Sequence, residues 1–384
     1  MNRRIIHSLR LVSEGIIDDD AWILLEDGRI GARGTGSGWQ QHRARAEITD
    51  GTGLIATPGF IDIHVHGGGG VSHDEGAAAT TVILDTHERF GTTRALCSLV
   101  TGDLDAMVER VQDLARAATL DDRILGIHLE GPFLDPGHRG AHDPALLRAP
   151  LAEELSLLLA AGGGAVRQVT LAPELDGGME AISLILRAGA RVAVGHTNAD
   201  ERAATAAFVA GASLLTHAFN AMQPLHHRAP GPVAAACAQP HVTLEVIADG
   251  VHLAPSVIAM LFRAAPGRVA LVTDAMAAAG AGDGQYRLGA LDVRVHGGVA
   301  RLVDGGAIAG STLTMIGALR FAVQEAGIPL AEAVAAATEV PARAIGVDGE
   351  FGTLGVGRRA DLVLLSAALD VISVFRDGQR VSFA

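Results

Sequence analysis

The sequence contains no lysine. All 30 of its basic residues are arginine, in a chain of 384 residues. This absence excludes a catalytic lysine Schiff base and a phosphate-binding loop that depends on a lysine amine. It also excludes a carboxylated lysine as the bridge between two metal ions.

Cysteine is almost as rare. Cys97 and Cys237 are the two cysteines, so a disulfide framework is excluded, and their apolar surroundings suit unreactive core thiols. A reducing cytoplasm is therefore the expected location. The sequence also lacks a run of about 18 apolar residues, so no membrane span is predicted. Residues 1–10 have no continuous apolar core, and a secretory signal is not expected.

Net positive charge is also missing, since the formal net charge is −13. A nucleic-acid surface needs clustered positive charge to displace counterions, so nucleic acid is excluded as a partner. Hydrophobic residues make up 49% and charged residues 19%, which is typical of a globular chain. The length predicts one large domain and a smaller one.

The alternation of segments predicts an α/β fold. From Pro58 onward, apolar runs alternate with helix-like stretches, which indicates parallel strands with crossover helices. Eight candidate strands favour a closed TIM-type (β/α)8 barrel over residues 56–344. The candidate strands are 60–64, 93–99, 124–130, 169–172, 192–196, 214–217, 244–248 and 269–274. Helices are predicted over 106–118, 152–161, 201–210 and 255–265, with a last helical region over 313–344.

Both ends of the chain have a different character. Residues 1–55 contain short alternating segments cut by turns such as Asp27-Gly28, and residues 345–384 return to short strands with Asp-Gly turns. Each part alone is too small to bury a core. We therefore expect the two parts to form one composite small β-sandwich domain.

A pair of histidines marks the end of the first candidate strand. His64 and His66 are two residues apart, so a strand projects both imidazoles to the same side, where they can bind one metal ion. Gly67 to Gly70 follow and leave room for a substrate or a neighbouring backbone. Two histidines alone also fit a surface or a core position. The choice between these interpretations and a metal site therefore depends on the residues at the other strand ends.

Polar residues also follow other candidate strands. The ends of strands 1, 3, 5, 6 and 8 carry His64 with His66, Glu130, His196, His217 and Asp274. In a (β/α)8 barrel these ends meet at one face, where active sites lie. Imidazole and carboxylate ligands suit zinc or another divalent transition ion.

Each of these residues has an alternative interpretation. Glu130 precedes Gly131-Pro132 and fits a turn, His196 and His217 fit core positions, and Asp274 fits a helix cap. The coincidence at five strand ends favours a shared metal site. Such a site predicts hydrolysis, with Asp274 as the carboxylate that accepts a proton from water and delivers it to a leaving amine.

Six further segments are informative: Gly59-Phe60-Ile61-Asp62 with His64-x-His66, Gly126-x-His128-Leu129-Glu130-Gly131-Pro132, Gly195-His196-Thr197-Asn198-Ala199, Thr216-His217-x-Phe219-Asn220-Ala221-Met222, Asp249-Gly250-x-His252 and Thr273-Asp274-Ala275-Met276. These segments resemble those of the N-acetylglucosamine-6-phosphate deacetylase family, within the amidohydrolase superfamily. The resemblance covers nearly the whole chain and implies conversion of N-acetylglucosamine 6-phosphate into glucosamine 6-phosphate and acetate.

The resemblance implies the ligand set of a divalent metal. Glu130, His196 and His217 would hold the main ion, and His64 with His66 would hold a second ion, with Glu130 as the bridge. Zinc is expected, while iron, manganese and cobalt accept the same ligands. One or two ions per subunit are expected, and two in the fully loaded enzyme.

The resemblance also implies contacts to the 6-phosphate. Asn220, the backbone of Ala221 and Arg228 would bind this group, for which the guanidinium fork is well shaped. His252 would bind the phosphate as well and can reach the site of a neighbouring subunit, which implies a homodimer. An exposed Arg228 also fits an ordinary solvated charge.

Contacts to the sugar follow from the same resemblance. His142, after Ala141, would approach the acetamide or a sugar hydroxyl, and Ile308, Ala309 and Gly310 would line the sugar pocket. A loop histidine and helix-start packing are the respective alternatives.

The sequence leaves alternatives for the roles of three histidines and for the function of the chain. His128 is interpreted as barrel packing, whereas His226 and His227 either tune phosphate binding or are simply exposed. The rival functions are hydrolysis of another N-acyl sugar phosphate or N-acyl amino acid, and a catalytically silent amidohydrolase-like scaffold.

Overall fold

The structure is a computed structural model, and it describes residues 3–383. The chain begins with five strands: β1 Arg3–Ser13, β2 Ile16–Glu26, β3 Arg29–Thr35, β4 Glu47–Asp50 and β5 Ile55–Pro58. β2 and β3 are joined by Asp27 and Gly28, whose φ angles of 48° and 80° suit the type I′ hairpin turn that an Asp-Gly pair favours. Because successive side chains of β2 point to opposite faces of the sheet, Ile23 packs in one hydrophobic cluster and Trp22 in another.

Eight parallel strands form the predicted barrel. The first is β6 Phe60–Val65, and it is followed by a short hairpin of β7 Gly67–Gly68 and β8 Val71–Ser72. The others are β9 Thr92–Leu99, β10 Ile124–Glu130, β11 Val166–Leu171, β12 Arg191–Val194, β13 Leu214–Leu215, β14 Thr243–Ile247 and β15 Val269–Val272. All eight candidate strands are confirmed. Five of them end one or two residues earlier than predicted, and for three of these His196, His217 and Asp274 lie just beyond the strand.

Hydrogen bonds join these strands in chain order from β6 to β15. The last strand and the first close the barrel along a seam with few hydrogen bonds. At this seam the backbone N–H of Asp274 donates to the carbonyl of His64 at 2.8 Å. Asp62 reinforces the seam, because its carboxylate accepts from the Thr273 hydroxyl at 2.5 Å and from the backbone N–H of His64 at 3.2 Å. Burial raises the pKa of Asp62 to about 6, against these hydrogen bonds, which lower it.

Ten α-helices are found among residues 3–383. They are α1 Ala77–Glu88, α2 Leu104–Ala118, α3 Ala152–Ala161, α4 Gly178–Arg187, α5 Glu201–Val209, α6 Gly231–Ala238, α7 Pro255–Ala264, α8 Met315–Gln324, α9 Leu330–Ala337 and α10 Glu339–Ala344. Short 3-10 turns cover 36–42, 73–75 and 136–138. None of these helices combines the length and the apolar character of a membrane-spanning segment.

The four separate helices predicted from the sequence are confirmed as α2, α3, α5 and α7. The predicted helical region 313–344 consists of three helices, because Gly327 and Pro329 interrupt it after α8 and Thr338 separates α9 from α10. Helices α1, α4 and α6 were not predicted. The β-branched run Thr80-Thr81-Val82-Ile83 in α1 lowers helix propensity, and the Ala-rich α6 lacks a clear polar face.

A three-stranded antiparallel sheet between β15 and α8 was also not predicted. It comprises β16 Gly284–Leu288, β17 Leu291–His296 and β18 Val299–Leu302. Its buried side chains Leu288, Val293 and Val295 pack against Met276, which follows the last barrel strand. This packing holds the sheet beside the carboxyl ends of the barrel strands.

The C-terminal strands complete the first sheet. They are β19 Leu362–Leu365, β20 Val371–Arg376 and β21 Gln379–Arg380, and β19 pairs antiparallel with β5. The strand order is β21-β20-β19-β5-β1-β2-β3, with β4 paired to β1. The predicted union of both chain ends is therefore formed, and its hydrogen bonds join the strands into one continuous sheet.

A buried arginine links this sheet to the barrel. Arg94 lies on β9 with a side chain that is 0% exposed, and its guanidinium donates to Asp361 at 2.6 and 3.1 Å and to Asp377 at 3.1 Å. It also donates to the carbonyl of Asp122 at 2.7 Å and lies 4.7 Å from the centre of the Phe351 ring. The cation is thus fully satisfied by groups from outside its own strand.

Replacing Arg94 by Met is expected to lower the free energy of unfolding by about 3–5 kcal/mol, because it leaves the buried carboxylate of Asp361 without its cationic partner. Denaturation in urea measures the change. Arg359→Met is the matched control, since that side chain is 28% exposed and its ion pairs are worth about 1 kcal/mol or less. Equal losses in the two variants would contradict the assignment.

Candidate metal centre

Glu130, the last residue of β10, lies at the centre of a group of buried histidines. Its Oε1 is 3.3 Å from Nε2 of His64, 3.2 Å from Nε2 of His196 and 3.1 Å from Nε2 of His217. Its Oε2 is 3.1 Å from Nε2 of His66. All five predicted metal ligands are therefore brought together at the carboxyl ends of four barrel strands.

The donor atoms form pairs at short distance. Nε2 of His64 is 3.1 Å from Nε2 of His66, and Nε2 of His196 is 3.0 Å from Nε2 of His217. Nitrogen lone pairs this close repel one another unless a cation or a proton lies between them. This set of imidazoles with a central carboxylate fits a divalent metal ion.

Two overlapping groups of residues have the spacing that metal binding requires. In each group, one ligand atom per residue lies within 4.8 Å of the others. The first group comprises His64, His66, Glu130 and Asp274, and the second comprises Glu130, His142 and His196. Asp274 and His142 were predicted as a catalytic and a substrate-contacting residue, so both lie directly beside the predicted ligands.

Backbone conformation directs three of these side chains. His196, His217 and Asp274 each lie two residues beyond the last residue of a barrel strand, with φ angles of 46°, 26° and 48°. These left-handed conformations are uncommon for residues other than glycine and are typical of functional sites. They turn the chain abruptly at the strand end.

The far nitrogens of three histidines are held by other groups. Nδ1 of His196 donates to the carbonyl of His138 at 2.9 Å, and Nδ1 of His64 lies 3.0 Å from the carboxylate of Glu245. Nδ1 of His142 lies 2.8 Å from the hydroxyl of Thr101. Such contacts fix the ring orientation and leave Nε2 directed at the centre.

The acidic and basic groups stabilise one another's charged forms. Burial opposes the positive charge of His66, but hydrogen bonds to Asp274 and Glu130 raise its pKa to about 9. Burial likewise opposes the negative charge of Asp274, but the charge of His64 and the hydrogen bond to His66 lower its pKa to about 2. Because a ligating imidazole must be unprotonated, binding of a metal ion releases protons here.

A cavity of about 370 Å3 opens onto this centre. Its wall includes the predicted catalytic residue Asp274 and the predicted substrate-contacting residues Ala141, His142, Asn220, Ala221, His252, Ile308 and Gly310. Ala309 is fully buried and does not line the cavity. Leu288 of the unpredicted sheet forms another part of the wall. The three-stranded sheet therefore helps to enclose the site.

Two predicted phosphate contacts, Arg228 and His252, differ in their position relative to this cavity. Arg228 is exposed in the turn closed by hydrogen bonds between His226 and Ala229, and it does not line the cavity of its own chain. His252 lines that cavity. Burial disfavours the charged form of His252, but its hydrogen bond to Asp249 at 2.7 Å raises its pKa.

The three histidines without an assigned role lie in two different environments. His128 is buried in the barrel interior, where its ring nitrogens lie 2.9 Å from the hydroxyl of Ser98 and 2.8 Å from that of Thr170. It therefore packs inside the barrel, as predicted. His226 and His227 are exposed beside each other, with ring centroids 4.2 Å apart.

Two contributors to the site were missed from the sequence. Glu245 lies inside the apolar strand β14, and a charge within an apolar run was the signal that could have identified it. His138 acts through its backbone carbonyl, for which its residue type gives no signal. Only the fold brings this carbonyl to His196.

Residues 55–381 match the sequence model of the Amidohydrolase family. The chain belongs to this family. N-acetylgalactosamine-6-phosphate deacetylase of Escherichia coli O157:H7 is 37% identical over 383 residues, covering 99% of each chain. N-acetylglucosamine-6-phosphate deacetylase of Vibrio furnissii is 33% identical and covers 99% of this chain and 94% of its own.

A solved structure is similar over the same length. It is a mutant of N-acetyl-D-glucosamine-6-phosphate deacetylase from Mycobacterium smegmatis in complex with N-acetyl-D-glucosamine-6-phosphate. The TM-score is 0.94 at 40% sequence identity, and the match covers 99% of both chains. This amidohydrolase chain therefore shares both its barrel and its terminal sheet with that enzyme.

Proposed function

We propose that this chain hydrolyses N-acetyl-D-glucosamine 6-phosphate to D-glucosamine 6-phosphate and acetate. The observation that carries the proposal is the convergence of four imidazole Nε2 atoms and Asp274 on Glu130 at the floor of a cavity. The names of the full-length relatives support the substrate, and family membership supports hydrolysis.

The chain's own residues divide into two ligand groups. Glu130, His196 and His217 would hold one ion, while His64 and His66 would hold a second with Glu130 between them. We propose zinc, and two ions in the fully loaded protein, although iron, manganese and cobalt satisfy the same ligands. A divalent ion at this position lowers the pKa of water and polarises a carbonyl group.

Asp274 is the proposed general base and acid. Its Oδ1 is 3.4 Å from Nε2 of His66 and 3.5 Å from Nε2 of His64, and the residue lines the cavity. Its pKa is lowered, so it is a carboxylate at neutral pH and accepts a proton from the attacking water. It then delivers that proton to the sugar nitrogen as the bond to the acetyl carbon breaks.

His142 is the proposed contact to the acetamide or to a sugar hydroxyl. Burial lowers its pKa to about 4, against the hydrogen bond to Glu130, so the imidazole is neutral at neutral pH. A neutral ring donates or accepts a hydrogen bond without adding charge beside the centre. Ala141, Ile308 and Gly310 would form the apolar wall for the sugar ring, with Ala309 behind them.

The 6-phosphate is proposed to lie near Asn220, the backbone of Ala221 and His252. The raised pKa of His252 favours a positive charge that a phosphate attracts. Arg228 is exposed and does not line the cavity of its own chain, so we assign its contact with phosphate to a second copy of the chain. We therefore propose a homodimer, and light scattering on the purified protein measures its mass.

Replacing Arg228 by Ala is expected to raise KM for the phosphorylated sugar by about 10- to 100-fold, since hydrogen bonds to charged groups are worth about 1.5–3 kcal/mol. The KM for the unphosphorylated sugar should stay unchanged. Steady-state kinetics with both sugars measure the difference. Arg263→Ala, at an exposed position on α7, controls for general loss of positive charge. Equal weakening for both sugars would remove Arg228 from the phosphate site.

Acetate release tests the proposed reaction as a whole. The substrates are N-acetylglucosamine 6-phosphate and unphosphorylated N-acetylglucosamine, with metal content determined on the same sample. Strong preference for the phosphorylated sugar in metal-loaded protein supports the proposal. Metal-loaded protein that cleaves neither sugar points to another N-acyl substrate. Protein that stays metal-free in the presence of zinc or iron points to a silent scaffold.

The galacto epimer is a second candidate substrate. The relative from Escherichia coli O157:H7, at 37% identity, is named for N-acetylgalactosamine 6-phosphate. The two sugars share the acetamide and the phosphate, so the centre described above serves both. The ratio of kcat/KM for the two epimers assigns the preference.

Location and domain boundaries remain proposals. A cytoplasmic location is supported by Cys97 and Cys237, which are both free thiols. The division into residues 56–344 and a composite unit of 1–55 with 345–384 stays a prediction. Limited proteolysis at the two proposed junctions tests it.

A further inference from the structure

Glu245 is a fully buried carboxylate on β14 inside the barrel. A charge at such a position needs donors for both of its oxygens. Its Oε1 accepts from the side-chain amide of Gln168 at 2.6 Å. Its Oε2 lies 3.0 Å from Nδ1 of His64 and accepts from the backbone N–H of His217 at 3.3 Å.

The partners of Oε2 belong to the two halves of the metal centre. His64 is paired with His66, whereas His217 is paired with His196, and Nε2 of each of these rings faces the carboxylate of Glu130. One oxygen of Glu245 therefore contacts a predicted ligand of each half. The contact to His217 also holds a backbone with a φ of 26°, which is unfavourable for a residue other than glycine.

The contact to His64 determines which nitrogen of that ring carries the proton. A carboxylate accepts a hydrogen bond, so Nδ1 of His64 is the donor. In the neutral ring Nε2 is then unprotonated, and it lies 3.3 Å from Oε1 of Glu130 on the side of the centre. The tautomer that a metal ion requires is thus set from inside the barrel.

We propose that Glu245 is a positioning residue of the metal centre, which holds His64 as the Nδ1–H tautomer and anchors the backbone of His217. This inference rests on the metal centre proposed above. The competing explanation is a purely structural pair of Glu245 with Gln168. That explanation assigns no consequence to the contacts with His64 and His217.

The test is metal affinity in Glu245→Leu, measured by competition with a chelator using Zn2+ and by the absorption spectrum of Co2+. Loss of the acceptor is expected to weaken binding by about 10- to 100-fold and to change the Co2+ spectrum. Glu245→Gln keeps an acceptor oxygen and should restore affinity to within a few-fold. Gln168→Leu is the matched control, because it removes the other partner and leaves both contacts to the ligands.

Two results would overturn the inference. One is a Glu245→Leu protein that binds Zn2+ as tightly as the wild type. The other is a Gln168→Leu protein that loses as much affinity as Glu245→Leu, which would favour the structural pair.

A measurement on the wild type does not depend on folding of the variants. Nitrogen-15 NMR of histidine-labelled, Zn2+-loaded protein should show His64 protonated on Nδ1, with His64→Asn used to assign the signal. A His64 protonated on Nε2 would overturn the inference. Wild-type protein that binds Zn2+ in this way but cleaves no sugar phosphate would overturn the proposed substrate and leave the role of Glu245 intact.

Discussion

Asp274→Asn is expected to lower kcat by up to about 10,000-fold, the upper range for loss of a general acid–base group. An amide has nearly the same shape as the carboxylate, and its oxygen can keep the contacts of Oδ1 to His64 and His66 at 3.5 and 3.4 Å. It cannot accept the proton from water or carry it to the sugar nitrogen. Acetate release measures kcat, and elemental analysis should show metal content unchanged.

The matched control is Asp249→Asn, which alters another carboxylate near the cavity. Asp249 contacts His252 at 2.7 Å rather than the histidines around Glu130. Its replacement removes the group that raises the pKa of His252, so KM for the phosphorylated sugar should rise while kcat changes little. An Asp274→Asn enzyme with turnover near that of the wild type would exclude Asp274 as the proton carrier.

Much of this site could be predicted because a parallel barrel collects distant residues at one face. His64, Glu130 and Asp274 are far apart in the sequence, but each stands where an apolar run ends, and such ends converge in a barrel. The prediction therefore depended on finding the apolar runs. All eight were found, since strands buried on both faces read as continuous hydrophobic segments.

The contacts behind the ligands could not be predicted in the same way. The carbonyl of His138 reaches His196 through the course of a loop, and every residue has a carbonyl. Glu245 could be noticed as a charge in an apolar strand, but its partner His64 lies 181 residues away in sequence. Side chains on the inner face of a barrel meet by the register of the strands, which the sequence pattern does not fix.

Elements with mixed signals were also missed. The sheet over 284–302 alternates buried and exposed residues along β17, but it stands where a barrel predicts a crossover helix. The crossover helix expected from the barrel fold therefore conflicted with the strand pattern of these residues. Arg228 was predicted as a phosphate ligand by resemblance alone, and it is exposed and does not line the cavity of its own chain.

Glu130→Gln is expected to remove metal from the protein and to reduce acetate release by more than about 1,000-fold, since the carboxylate is central to both proposed ligand groups. Both of its oxygens face imidazole Nε2 atoms, at 3.1 to 3.3 Å. An amide offers one oxygen, and its NH2 group would repel a cation at the other position. Elemental analysis measures the bound metal, and Glu201→Gln, at an exposed position on α5, is the control.

In metal-free protein, the loss of stability caused by Glu130→Gln should depend on pH. The pKa of Glu130 is held well below its usual 4.5 against burial, by the charge of His64 and by hydrogen bonds from other histidines, so its stabilising contribution is present above pH 4.5 and lost in acid. The pKa of His66 is raised from 6.5 to about 9, so its contribution is present below pH 6.5 and lost as the pH rises through 9. Glu130→Gln should therefore destabilise the metal-free protein most between pH 4.5 and 6.5 and progressively less towards pH 9. Urea unfolding after chelation measures this profile, and a loss of stability that is independent of pH would mean that Glu130 and the histidines do not stabilise one another's charges.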